Sequence, residues 1–194
     1  DSVSFKEEIE PISLRGWFTY LEKCDTIDLI NLNTSKVTDF SYMFFNCSSV
    51  KRLDLSAFDT RQAVSFSRMF KDCYSLDSLD LSSFDTRGAY EFDWMFEECS
   101  GLTSIDVSSF NTESATDMNG MFYECRKLKS LDLRNFSTNN VKDMSWMFVG
   151  CSTLAKVDLG SFGTSAVEDF EKMFDGCSSL EQLDLSSFDT SAAR

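Results

Sequence analysis

Six cysteines, Cys47, Cys73, Cys99, Cys125, Cys151 and Cys177, recur at intervals of 26 residues, and the rest of the chain keeps the same register. Met43-Phe44 returns as Met69-Phe70, Met95-Phe96, Met121-Phe122, Met147-Phe148 and Met173-Phe174. Leu53-Asp54-Leu55 returns as Leu79-Asp80-Leu81, Ile105-Asp106-Val107, Leu131-Asp132-Leu133, Val157-Asp158-Leu159 and Leu183-Asp184-Leu185. Phe58, Phe84, Phe110, Phe136, Phe162 and Phe188 form a further column, each followed two residues later by threonine. A sustained period between about 20 and 50 residues is the mark of a solenoid, whose units cannot bury their apolar side alone and must stack.

Two short elements can be read within each unit. Phe66, Met69, Phe70 and Cys73 fall at i, i+3, i+4 and i+7, the spacing of one helical face. Leu79 and Leu81 alternate about Asp80, the spacing of a strand. The expected fold class is therefore α/β: a single solenoid with a parallel sheet on one face and short helices on the other. Cys24 precedes Cys47 by 23 residues, so the first coil reads as three residues short, with Trp17, Tyr20, Leu21 and Cys24 matching Phe40, Met43, Phe44 and Cys47. Residues 1–23 are thus expected to be an N-terminal capping segment with a degenerate repeat, and 24–194 a solenoid of about six repeats. The sequence stops at Arg194 inside a repeat, with Leu183, Leu185 and Phe188 still in pattern. The expectation is a fragment without a C-terminal cap, or an end covered by another molecule.

Composition narrows the function. The net charge is −14, which opposes binding to the phosphates of nucleic acids or anionic membranes and leaves basic proteins as suitable partners. No apolar run approaches the roughly 20 residues that would span a bilayer. Histidine is absent, which removes the commonest general base and the commonest metal ligand. Paired cysteines at metal spacing and a glycine-rich phosphate loop are not found either. No catalytic residue, metal or cofactor is expected.

The unit C-S-S-L-x-x-L-D-L-S-S-F-D-T-S-x-x-x-D-F-x-x-M-F resembles the BspA-like leucine-rich-repeat surface proteins of bacteria, which some protozoan parasites also carry. The resemblance runs from about residue 14 to the end and is plainest in Leu76 to Thr86 and Leu180 to Thr190. Ser137 and Gly163 depart from it where an acid usually precedes threonine. It implies a leucine-rich-repeat-type solenoid, secreted or attached at the cell surface, with a role in adhesion to host or neighbouring proteins. It implies no shared catalytic residues and no particular ligand.

Three columns are candidates for function. The cysteines share the side of Met and Phe and read as buried thiols, with disulfides and metal as the competing readings. Asp54, Asp80, Asp106, Asp132, Asp158 and Asp184 must point away from the leucines beside them. A row of like charges needs compensation; Ser56, Ser82, Ser108 and Ser186, with Arg52, Arg134 and Lys156, can supply it. Calcium is the alternative, but its usual ligand spacing and glycine turn are missing. The third column varies between repeats. Positions equivalent to 64, 68 and 71 share one side of the expected helix, away from Met, Phe and Cys. They include Tyr42, Phe45, Arg68, Lys71, Tyr90, Trp94, Tyr123, Trp146 and Val149. A solvated helical face is normally lysine and glutamate, so exposed aromatics there read as a contact surface. In the competing reading they are scattered, or fold down over gaps between coils. The expected role is an extracellular or cell-surface module that binds an extracellular or host protein through these residues. A small-molecule ligand and membrane insertion are not expected, and a structural spacer without a ligand is the alternative.

Overall fold

A computed structural model describes residues 2–194, which wind into a stack of coils held together by backbone hydrogen bonds running along its axis. In one coil the N–H groups of Phe92, Trp94, Phe96 and Glu98 donate to the carbonyls of Asp117, Asn119, Met121 and Tyr123 in the next. The intervening amides of Met95, Glu97 and Cys99 donate to the carbonyls of Phe92, Trp94 and Phe96, closing turns within the coil. Alternate amides therefore serve two different purposes. The turns need a residue in the left-handed region, and Trp94 and Glu98 adopt φ of 54° and 57°.

This geometry overturns the expected α/β class. Among the described residues there is no helix, and the strands number four: β1 (Ser2–Val3), β2 (Thr26–Ile27), β3 (Ser130–Leu131) and β4 (Lys156–Val157). β1 pairs with β2 and β3 with β4, both parallel. The parallel sheet expected on the Leu-Asp-Leu side is thus fragmentary. The longer run of parallel bridges joins Ser13, Asp39, Ser65, Glu91, Asp117, Asp143 and Asp169, on the side read as helical. Spacing explains the difference. Like phenylalanines of successive coils, from Phe18 through Phe44, Phe70, Phe96, Phe122 and Phe148 to Phe174, lie with ring centroids 5.5–5.8 Å apart. Packed helices need about 8–10 Å between axes. Coils this close leave no room for a helix in each, whereas a ribbon of turns fits and bonds to its neighbours.

The first coil keeps the 26-residue register. Leu14 and Phe18 donate to Asp39 and Met43, as Phe40 and Phe44 donate to Ser65 and Met69. Leu14, Phe18, Leu21 and Cys24 therefore stand where Phe40, Phe44, Cys47 and Val50 stand one coil later, and the three-residue deletion disappears.

Burial follows the columns. Phe44, Phe70, Phe96, Phe122 and Phe148 are fully buried, as are Met43, Met69, Met95, Met121 and Met147. Near-parallel rings at these distances are in the favourable offset-stacking range. Each cysteine from Cys47 to Cys177 donates its S–H to the carbonyl of the phenylalanine 29 residues earlier, at 2.9–3.2 Å. The threonine column staples the opposite corner. The Thr112 hydroxyl donates to the carbonyl of Ser137 and accepts from its N–H, both at 2.9 Å. Thr34, Thr60 and Thr86 do the same to Asp59, Asp85 and Asn111. In the final coil Leu183 and Leu185 are 37% and 39% exposed.

Candidate interaction surface

The variable column of the sequence is the column of left-handed turn residues. Gly16, Tyr42, Arg68, Trp94, Gly120, Trp146 and Lys172 succeed one another along the stack, all with positive φ. A residue at such a corner turns its side chain off the core, which is why the fold tolerates glycine, arginine or tryptophan there. For the five residues that carry a β-carbon the conformation costs roughly 1 kcal/mol each, offset by the hydrogen bonds between coils.

The side chains do not stand free as expected of a solvated helical face. Tyr42, Phe45, Arg68, Lys71, Trp94, Tyr123, Trp146 and Val149 are all half-buried. They lie against one another and form a stripe along the stack. Arg15 and Arg68 flank the Tyr42 ring at 5.2 and 5.4 Å from its centroid. Tyr42 meets Phe45 edge-on at 5.8 Å, and Tyr20 meets Phe45 at 5.1 Å. Lys71 then spans to the next coil, 6.0 Å from the Phe45 centroid and 5.9 Å from that of Trp94. Trp94 contacts Tyr123 at 5.5 Å and Trp146 at 5.7 Å. Of the residues singled out from the sequence, Tyr90 stands apart: it is 42% exposed and takes no part in these ring contacts.

Trp94 and Trp146 are 52 residues apart, two coils, and meet because Gly120 lies between them. A β-carbon added at Gly120 would run into the Trp94 indole, so the ring lies flat over the glycine. The same device recurs at Gly150, whose missing side chain makes room for the Glu124 carboxylate. Beside the indoles is an open pocket of about 410 Å³ bounded by Trp94, Tyr123, Trp146, Glu97, Lys172 and Asp175. Lys71 forms an ion pair with Glu97, whose carboxyl is nevertheless pushed above its ordinary value, chiefly by burial.

A line of acids runs next to the stripe. Asp93 pairs with Arg68 at 2.8 Å and accepts from the Ser67 hydroxyl at 2.9 Å. Asp143 accepts from the hydroxyl and the N–H of Ser145 at 2.6 and 2.8 Å. Asp117 is pushed up to about 6 by burial, against the hydrogen bond from the Asn119 N–H and with Asp93 and Asp143 adding to the rise.

The Leu-Asp-Leu side offers less. Asp54, Asp80, Asp106, Asp158 and Asp184 each accept the N–H of the residue two positions on. Asp132 is gripped by Arg134, whose Nη2 lies 2.6 Å away, and its carboxyl is held down at about 2 by that side chain. Arg52, expected to neutralise this row, lies 3.6 Å from Asp77 instead. These carboxylates are occupied by local hydrogen bonds, and no acidic cluster among the described residues could hold a metal ion.

Arg15 and Tyr20 extend the stripe and are not apparent from the sequence when the first coil is read three residues out of register. The recurrence of Gly16, Tyr42 and Gly120 at 26-residue multiples is the signal that would have placed them.

Fold and surface together define a repeat protein, a stacked solenoid with an aromatic stripe down one side. The chain belongs to the family described as Mycoplasma protein of unknown function, DUF285, whose model matches residues 12–132 and 116–194. No curated protein sequence matches it. One solved structure, a leucine-rich repeat protein from Bacteroides ovatus, is similar over 86% of this chain and 46% of its own, at 20% identity and a TM-score of 0.49. The chain thus spans less than half the length of that protein. Neither description names an enzyme.

Proposed function

We propose that this chain is a non-enzymatic recognition module, secreted or displayed at the cell surface, that binds an extracellular or host protein through its aromatic stripe. The observation that carries the reading is the cluster of Trp94, Tyr123 and Trp146 at the edge of an open pocket. Tryptophan, tyrosine and arginine supply most of the energy of protein interfaces, and they do so when gathered at one place. The resemblance to BspA-like repeat proteins supports a role in adhesion.

The test is capture of extracellular proteins on the immobilised chain, compared with the Trp94→Ala/Trp146→Ala double variant. Loss of the captured partner with the double variant, with retention by an Asp106→Ala/Asp132→Ala variant of the other face, supports the stripe. Retention by the first and loss by the second would reassign the surface. A spacer role is the second reading, favoured by the intramolecular contacts that already occupy much of the stripe. A chain that captures nothing in either form would support it.

A further inference from the structure

The stripe shows, within one molecule, which chemistry its aromatic rings accept. In the N-terminal half the partners are cations of the chain itself: Arg15 and Arg68 on either side of Tyr42, and Lys71 against both Phe45 and Trp94. Beyond Trp94 the row continues with Tyr123 and Trp146, and there the pattern stops. Among the described residues no cation lies over either ring. Lys172, which follows Trp146 in the column, is held at 3.4 Å from Glu171. The pocket of about 410 Å³ opens at this point, lined by the three aromatic residues together with Glu97, Lys172 and Asp175. Asp175 has no ion pair among the described residues, so a charge is available to meet an incoming one.

We propose that this pocket receives the cationic side chain of a lysine or arginine from an extended basic segment of a protein partner. The proposal rests on the reading of the stripe as a contact surface and adds the chemistry of what it contacts. Three features point the same way. The rings of Tyr123 and Trp146, over which no cation of the described residues lies, offer the negative side of their quadrupoles to one. Asp175, which has no ion pair among the described residues, lines the same pocket. The net charge of −14 draws basic segments towards the surface and repels acidic ones.

The experiment uses a fluorescent peptide in which three lysines are spaced by glycine and serine, titrated in about 0.15 M salt and read by anisotropy. A matched peptide carries norleucine in place of lysine. The lysine peptide should bind, and Trp146→Leu should weaken it about tenfold. Asp175→Asn should weaken it about threefold, and Trp146→Phe should lie between wild type and Trp146→Leu. Asp80→Asn/Asp106→Asn removes more charge from the other face and should change affinity by less than about twofold. Failure of the lysine peptide to bind, or equal binding by wild type and Trp146→Leu, overturns the proposal. Equal affinity for the norleucine peptide, still dependent on Trp146, also overturns it but leaves the contact surface standing. Binding of both peptides without regard to Trp146 removes the two together.

Discussion

Replacing Thr112 by valine keeps the shape of the side chain and deletes its hydroxyl, which isolates the staple between one coil and the next. Thr112 is 1% exposed, and its hydroxyl exchanges two hydrogen bonds of 2.9 Å with the N–H and C=O of Ser137. Each such bond contributes about 1 kcal/mol net, and leaving a part-buried backbone donor and acceptor without partners adds to the loss, so Thr112→Val should cost about 2–4 kcal/mol. Thr112→Ser retains the hydroxyl and loses one buried methyl, for a cost of about 1 kcal/mol. Urea unfolding followed by tryptophan fluorescence reads both, since Trp94 and Trp146 lie on either side of this junction in the sequence. The midpoint should fall for valine with little change in slope. Valine within about 0.5 kcal/mol of wild type would refute the staple.

Three other perturbations test separate parts of the account. Gly120→Ala puts a β-carbon at φ 58° and against the Trp94 ring; it should destabilise by about 1–2 kcal/mol and shift tryptophan emission to the red as the indole is displaced. Unchanged emission would mean that Trp94 does not lie over the glycine. Burial pushes the thiols of Cys73, Cys99 and Cys125 up, Cys47 to about 12 and Cys177 to about 11, so thiol reagents should be slow on the native chain and meet Cys177 first. Rapid native labelling of Cys73, Cys99 and Cys125 would contradict the column. For Asp117 the folded chain binds a proton more tightly than the unfolded chain, because its carboxyl is raised to about 6. The group therefore costs stability above that pH, and the cost fades as pH falls towards the ordinary carboxylate value. Asp117→Asn should raise stability near neutral pH by about 1 kcal/mol after allowance for solvent screening, and by nothing near about pH 4. An equal gain at both would show that titration is not its source.

Which residues line up is legible in the sequence, and how the backbone carries them is not. The 26-residue period alone predicts that Phe70, Phe96 and Phe122 pile into one column, as they do. The same spacing of Phe66, Met69, Phe70 and Cys73 reads as a helix because turns that each close on the fourth residue bring side chains to one side at three- and four-residue intervals. Periodicity cannot separate the two. What separates them is steric, namely glycine recurring at 16 and 120, with Gly150 and Gly176 in the column of Asn46 and Asp72, all left-handed. Tyrosine, arginine, tryptophan, lysine and glutamate at the other positions of these columns hide that signal. The candidate surface was legible in its members but not in its form. Half-burial of Trp94 and Trp146 comes from Gly120, and the contact of Arg15 with Tyr42 depends on a first coil whose register is set by hydrogen bonds rather than by cysteines.

Every column, and the stripe with them, depends on backbone bonds that leave one coil for the next. Scalar coupling transmitted through hydrogen bonds, measured by NMR on isotopically labelled protein, observes those bonds directly. The amides of Phe44, Phe70, Phe96, Phe122 and Phe148 should correlate with the carbonyls of Met69, Met95, Met121, Met147 and Met173, each 25 residues ahead. Correlation of the same amides with carbonyls four residues behind them would restore helices and contradict the stacked ribbon of turns.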